Sequence, residues 1–223
     1  CSAEEMSSVK TTTEPGKILI AYYSYSGNTR AAAEMIQQET GGTLFEIKPV
    51  KPYPSDYRKC TEVAKADISA GVRPELQAKV SGIANYDVVF VGSPNWWGTM
   101  APPVATFLTT HDLAGKTVIP FFTHGGGGMQ RCETDAKKLC GKSSVLKAAT
   151  FSGGGIRSAR EAMKKWLDEV VAIEPAALSA KERSIAAISM YTARGNMGNL
   201  KTALNAGLDT GLTVNEIKEI LVQ

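Results

Sequence analysis

Within six residues, Ser24, Ser26 and Thr29 supply hydroxyls, Asn28 a side-chain amide, and Gly27 a position without a Cβ. Hydroxyls and backbone N–H groups gathered where a turn opens into a helix meet the positive end of that helix's dipole, a seat for a phosphate. What is missing narrows the kind of phosphate. A triphosphate loop needs Gly-x-x-x-x-Gly-Lys-Ser/Thr, and no lysine follows Gly27 here. A dinucleotide Gly-x-Gly-x-x-Gly is absent as well. A loop lined by hydroxyls suits one terminal phosphomonoester. The plainer alternative is a Ser/Asn-capped turn that binds nothing.

Two other stretches could do chemistry. Ser93 to Pro103 carries the adjacent pair Trp96-Trp97, whose indole faces could stack on a planar ring. Thr123-His124 leads into Gly125 to Gly128, where backbone can approach a ligand edge closely and offer its N–H groups. His124 could bond or protonate an oxygen or nitrogen at that edge. Each has a bland counterpart: core plugs or a partner contact for the tryptophans, mere flexibility for the glycines, a structural loop role for the histidine.

The elements that would position these loops follow from hydrophobic pattern. Ile18 to Tyr22 is a short apolar run of the kind a strand buried on both faces shows, and Ala31 to Gln38 is a strong helix former. Further strands are expected over Thr43–Lys48, Tyr86–Gly92, Lys116–Thr123 and Ser144–Phe151. Helices are expected over Tyr57–Ala70, from Pro102 through Leu108, over Met129–Leu139 and over Arg157–Val170. Arg73 to Ala84 reads as a short helix or irregular crossover. Alternation of this sort builds a doubly wound parallel sheet of five strands, with ligands at the carboxyl ends of the strands. The three special loops all fall at that edge.

Residues 17–170 resemble the flavodoxin-like FMN-binding proteins. Ser24-x-Ser26-Gly27-Asn28-Thr29 is similar to their phosphate loop. Pro94-Asn95-Trp96-Trp97-Gly98-Thr99-Met100-Ala101-Pro102 and His124-Gly125-Gly126-Gly127 resemble the two ring-binding loops of the quinone-reductase branch. The resemblance implies FMN as cofactor, its phosphate on Ser24, Ser26, Gly27, Asn28 and Thr29. It places the flavin ring among Pro94, Asn95, Trp96, Trp97, Gly98, Thr123, His124, Gly125 and Gly126. It also implies Tyr57 near the site and a contribution from the turn at Ser152-Gly153-Gly154-Gly155.

The chain has 223 residues, a net charge of +3 and a pI near 8.6. Its lysines and arginines are scattered, which leaves no nucleic-acid footprint. The basic balance also sets it apart from acidic electron shuttles that dock by charge. Cys1, Cys60, Cys132 and Cys140 form no Cys-x-x-Cys and no zinc spacing, and with two histidines no metal site is expected. Cysteine at position 1, followed by a polar tether through Gly16, resembles a mature bacterial lipoprotein. That class implies a lipid on Cys1 and a place at the bacterial cell envelope; without the lipid the expected place is the cytoplasm.

After Pro175 the pattern turns wholly helical, with helices expected over Ala180–Ala193, Met197–Gly207 and Val214–Val222 and a capping box at Thr213 and Glu216. Ile185, Ile188, Ser189 and Thr192 mark the packing stripe of the first. The expected divisions are a tether over 1–16, the FMN-binding domain over 17–172 and a helical segment over 173–223. The segment resembles part of the carboxymuconolactone decarboxylase family, from Leu178-Ser179-x-Lys181-Glu182-Arg183 to Glu216-Ile217-x-Glu219-Ile220-Leu221. Ala203 stands where that family places histidine, which implies a catalytically silent element for packing or self-association. For the chain as a whole, two activities remain open. One is an oxidoreductase passing electrons from NAD(P)H or a protein donor to a quinone-like acceptor. The other is a membrane-tethered electron carrier with no small-molecule substrate. A non-redox binding module is the third class.

Overall fold

Alternate residues of Ile18–Tyr22 go to opposite cores: Leu19 and Ala21 to one, Ile18, Ile20 and Tyr22 to the other. Val89 and Val91 part from Val88 and Phe90 in the same way, and Val118 and Phe122 from Ile119 and Phe121. A strand covered on both faces has no polar side, so its sequence is an unbroken apolar run. The computed structural model describes residues 10–174 and 179–222. They form two compact units, one within 10–174 and one within 179–222.

The first unit contains β1 (Thr11–Thr13), β2 (Ile18–Tyr22), β3 (Thr43–Glu46), β4 (Val88–Trp96), β5 (Thr99–Met100), β6 (Thr117–His124), β7 (Ser144–Val145), β8 (Ala149–Ser152) and β9 (Val171–Ile173). Its α-helices are α1 (Asn28–Thr40), α2 (Tyr57–Ser69), α3 (Pro102–Thr110), α4 (Cys132–Leu139) and α5 (Arg160–Val170). The parallel order is β3-β2-β4-β6, followed by β7 and β8 on the free side of β6. Ala32, Ala33 and Ile36 of α1 and Met163, Trp166 and Leu167 of α5 cover one face. Val104, Phe107 and Leu108 of α3 and Cys132 and Ala136 of α4 cover the other. Strand order reverses between β2 and β4, which opens a crevice at their carboxyl ends.

Some expectations need correction. The fifth strand is split: Trp166 Nε1–H donates to the Lys147 carbonyl at 3.0 Å, so the ladder breaks between β7 and β8. The loop expected after Gly92 is largely strand, because β4 continues to Trp96 and turns back as β5. Thr11–Thr13, expected in the tether, pairs in parallel with Val171–Ile173, which also draws Ile173 out of the helical segment. Helix α4 begins at Cys132 rather than Met129, while Arg73 to Ala84 takes the irregular crossover of its two expected forms. Cys1 and the rest of the tether through residue 9 lie outside the described residues. No helix among the described residues is long and apolar enough to cross a membrane.

The second unit is α6 (Ala180–Ala193), α7 (Met197–Asp209) and α8 (Val214–Val222) around Ile188, Leu200, Ala203, Leu212 and Ile217. Ser189, expected on the packing stripe, is exposed; Ser184 takes that place and accepts a hydrogen bond from Thr210 at 3.1 Å. The box at Thr213 forms, with Glu216 N–H donating to Thr213 Oγ1 at 3.2 Å and Thr213 N–H to Glu216 Oε2 at 2.8 Å. Lys181 and the Thr213 donors hold the Glu216 carboxyl down at about 2. A second box joins Ser179 and Glu182.

Gly92 lies in the sheet beneath the crevice, where an added Cβ would come within 2.2 Å of the Phe121 ring. Gly92→Ala is expected to destabilise the first unit by about 1–3 kcal/mol through overpacking. Urea unfolding followed by tryptophan emission measures this; an unchanged midpoint would show that Phe121 yields at no cost.

Candidate functional site

The first loop leaves β2 at Tyr22 and enters α1 through Gly27, whose φ of 89° is the left-handed conformation glycine adopts without strain. Gly27, the N-cap residue of α1, brings no side chain, and the first turn of the helix holds no carboxylate. Ser24 Oγ accepts from Arg30 N–H at 3.2 Å, and Ser26 is exposed. Ser24 takes one of the N-terminal N–H groups, and a helix start with no carboxylate in its first turn favours an anion at the others. The Arg30 side chain is turned aside onto Glu46, which also meets Lys48 at 3.0 Å. Burial opposes the charge of Glu46, but the two cations hold its carboxyl below the usual range. The donors left at the start of α1 are therefore neutral.

The second loop is a hairpin. Asn95 pairs with Met100 and Trp96 with Thr99, leaving Trp97-Gly98 as a two-residue turn with φ of 53° and 85°. Such a turn asks for positive φ at both positions, which Asn-Gly ordinarily supplies. A tryptophan there is strained. Helix α2 holds it: Trp97 Nε1–H donates to Thr61 O at 3.0 Å, and Lys65 Nζ sits 4.9 Å from the centre of its ring. The residue remains 52% exposed. Trp96 differs. It is half-buried, edge-on to Tyr53, Tyr23 and Tyr25 at 4.9, 5.5 and 5.9 Å. Of the two indoles, only Trp97 presents a largely open face.

The third loop is tied to the other two. Thr29 Oγ1 and Thr123 Oγ1 share a buried hydrogen bond of 2.8 Å, which joins α1 to the end of β6. Asn95 Nδ2 donates to Gly128 O at 2.7 Å and to Gln130 Oε1 at 3.2 Å, while its Oδ1 accepts from Gly98 N–H at 3.0 Å. Pro94 lies beside Thr123 in the sheet register. His124 closes β6, and its Nδ1 accepts from Gly126 N–H at 2.9 Å, which places the proton of the neutral ring on Nε2. Gly153 approaches so closely that a Cβ on it would lie 2.4 Å from Asn28 Nδ2 and 3.6 Å from His124 O. The glycine turn after β8 therefore belongs to the same edge. Asn95, Trp97, Gly98, His124, Gly125 and Gly127 line a cavity of about 360 Å³ there.

The structure thus gathers all three predicted loops, with Thr29, Asn28, Asn95, Thr123 and His124 as the points of contact. Tyr57 is exposed and lines a neighbouring cavity with Tyr25, Cys60, Trp96 and Trp97. Residues missed from sequence are Tyr25, whose hydroxyl donates to Pro54 O at 2.8 Å, Tyr53, Thr61, Lys65 and Gln130. The aromatic spacing of the Pro52 to Tyr57 loop was the one available signal; Gln130 carried none. Among the described residues no cluster of His, Cys, Asp and Glu could hold a metal ion. Burial pushes the Cys132 thiol up to about 12 and Cys140 to about 11, which keeps both protonated.

Residues 17–170 match the family described as Flavodoxin. A protein named NAD(P)H dehydrogenase (quinone) from Bradyrhizobium sp. (strain BTAi1 / ATCC BAA-1182) is 33% identical over 102 residues, 44% of this chain and 47% of that protein. One of the same name from Afipia carboxidovorans is 33% identical over 115 residues, 50% of this chain and 53% of that protein. The chain spans about half the length of the curated relatives it matches. The crystal structure of a protein from Bacteroides eggerthii DSM 20697 is 34% identical with a TM-score of 0.61, covering 69% of this chain and 97% of that one. A flavoprotein from Lactobacillus acidophilus NCFM, solved in complex with FMN, is 28% identical with a TM-score of 0.57, covering 67% of this chain and 99% of that one.

Removing one hydroxyl of the Thr29–Thr123 pair strands the other in the interior. Thr29→Val and Thr123→Val are each expected to cost about 1–3 kcal/mol, and the double variant less than their sum. Urea unfolding of the four proteins measures the coupling; strict additivity would show that the bond does not hold the two loops.

Proposed function

This chain belongs to the flavodoxin family, and from that premise we propose that it binds FMN and acts as an oxidoreductase between NAD(P)H and a quinone-type acceptor. One observation carries the reading: three loops remote in sequence are tied into one site at the carboxyl ends of the strands, at the point where strand order reverses. The neutral donors at the start of α1, with Ser24, Ser26, Gly27, Asn28 and Thr29, hold the phosphomonoester. Pro94 to Gly98 and Thr123 to Gly126 surround the ring, with Trp97 offering its open face. Bound there, FMN would supply the two-electron redox chemistry that links donor and acceptor. His124 keeps a proton on Nε2, from which an acceptor oxygen can be bonded. Support for the cofactor comes from the Lactobacillus acidophilus relative solved with FMN, and for donor and acceptor from the names of the Bradyrhizobium and Afipia relatives.

The helical unit serves in this reading as a packing and self-association element rather than a second active site. Ala203, in the position where the resembled decarboxylases carry histidine, is buried in its core, and Met197, Leu208, Val214 and Val222 are exposed. Sedimentation equilibrium of the full chain is expected to show a concentration-dependent dimer; a monomer at every concentration would overturn this assignment.

Titration with FMN is expected to quench tryptophan emission to a stoichiometric end point, and NADPH added under nitrogen to bleach the flavin absorbance. Absence of quenching would sink the assignment of all three loops. Binding without bleaching would leave an electron carrier served by a protein donor.

A further inference from the structure

Beside the hairpin turn lies a further cavity, of about 270 Å³, whose charge is unlike that of the cofactor loops. Arg73, Arg131 and Lys138 line it against one carboxylate, Asp135. Asp135 is already engaged by Thr99 Oγ1 at 2.8 Å and Lys138 Nζ at 3.5 Å. Among the described residues Arg73 meets the carbonyls of Gly71 and Val72, at 3.3 and 3.2 Å, and no carboxylate. The Arg131 guanidinium makes no hydrogen bond or ion pair among the described residues. Two guanidiniums are thus left without an anion, over a floor that includes Met100, Pro102 and Leu139. Planar forks of donors above apolar surface suit a phosphate ester that carries a ribose or a base.

The position of this cavity gives the cluster its meaning. Gly98 and Gln130 line the cavity that holds His124, and their chain neighbours Thr99 and Arg131 line this one. A single ridge therefore separates the two. Trp97 and Gln130, the non-glycine residues of positive φ among the described residues, both stand on it, with φ of 53° and 46°. Arg131 N–H donates to Gly98 O at 2.9 Å and locks the two sides of the ridge together. Strain kept at such a place points to function, since the surrounding structure must hold it. A ligand with a ring at the cofactor loops and a diphosphate some few ångströms away would lie across this ridge.

We propose that Arg131 and Arg73 form the diphosphate subsite for the nicotinamide nucleotide donor, an inference that rests on the oxidoreductase reading above. No bond forms or breaks at this subsite; its part is to hold the anionic middle of the donor while the ring reaches the cofactor loops.

ADP-ribose, which carries the diphosphate but no nicotinamide ring, is the probe. Calorimetric titration of the FMN-saturated protein is expected to show binding that weakens with added salt. Arg131→Gln and Arg73→Gln are each expected to weaken it about tenfold, the loss of one charge-assisted contact, with FMN affinity unchanged. Absence of ADP-ribose binding, or an affinity indifferent to both substitutions, would overturn the subsite. Inorganic pyrophosphate binding as tightly as ADP-ribose would overturn it as a nucleotide site. Binding of ADP-ribose that depends on Arg131, in a protein whose flavin NADPH does not bleach, would uphold a nucleotide diphosphate site and overturn the donor reading instead.

Discussion

The buried hydrogen bond between Thr29 and Thr123 joins residues 94 apart in sequence, and the candidate site depends on it. Thr29 sits in the first turn of α1, so its side chain fixes where the helix starts and which way its free N–H groups look. Thr123 stands one residue before the end of β6, so the same bond fixes the backbone from which the His124 loop departs. In the apolar interior neither hydroxyl has an alternative partner of equal value. The loop that opens α1 and the glycine loop are in this sense one object.

Asn95 does for the hairpin what the threonine pair does for the other two loops. Its amide spans from Gly98 to Gly128 and Gln130, which closes the hairpin on itself and on the loop after β6. The turn it closes holds a tryptophan where glycine or asparagine would be relaxed. That cost is met by α2, whose Thr61 carbonyl and Lys65 ammonium hold the indole on one side and leave its other face open.

The sheet was legible in the sequence because burial on both faces leaves a distinctive mark, the unbroken runs Ile18–Tyr22 and Val88–Val91. Its loops were legible because glycines and hydroxyls bunched after those runs have few other uses. What escaped did so for identifiable reasons. Trp97-Gly98 lacks the asparagine that signals a tight hairpin, since its strain is sustained by a helix 36 residues away. Thr11–Thr13 has the composition of a linker and becomes a strand only because Val171–Ile173 lies beside it. The break in the fifth strand comes from the indole of Trp166, 19 residues on, competing for a carbonyl. Ser184 replaced Ser189 on the packing face of α6 because Thr210 of the following turn supplies its partner. Each is a contact distant in sequence overriding a local pattern.

The two places that could hold phosphate differ in kind. At the start of α1 the donors are neutral N–H and hydroxyl groups, the one nearby arginine is bound to Glu46, and the surroundings are partly closed by the Gly153 turn. Attraction there comes from oriented dipoles at short range, which salt screens poorly and which suits a ligand that stays. At the cavity beside the hairpin the donors are exposed guanidiniums, whose attraction reaches further but is screened by salt and exchanged with water. Such a place suits a ligand that arrives, acts and leaves. The start of α1, its arginine drawn onto Glu46, would meet an anion with dipoles, whereas the cavity of Arg131, whose guanidinium has no partner among the described residues, would meet it with charge.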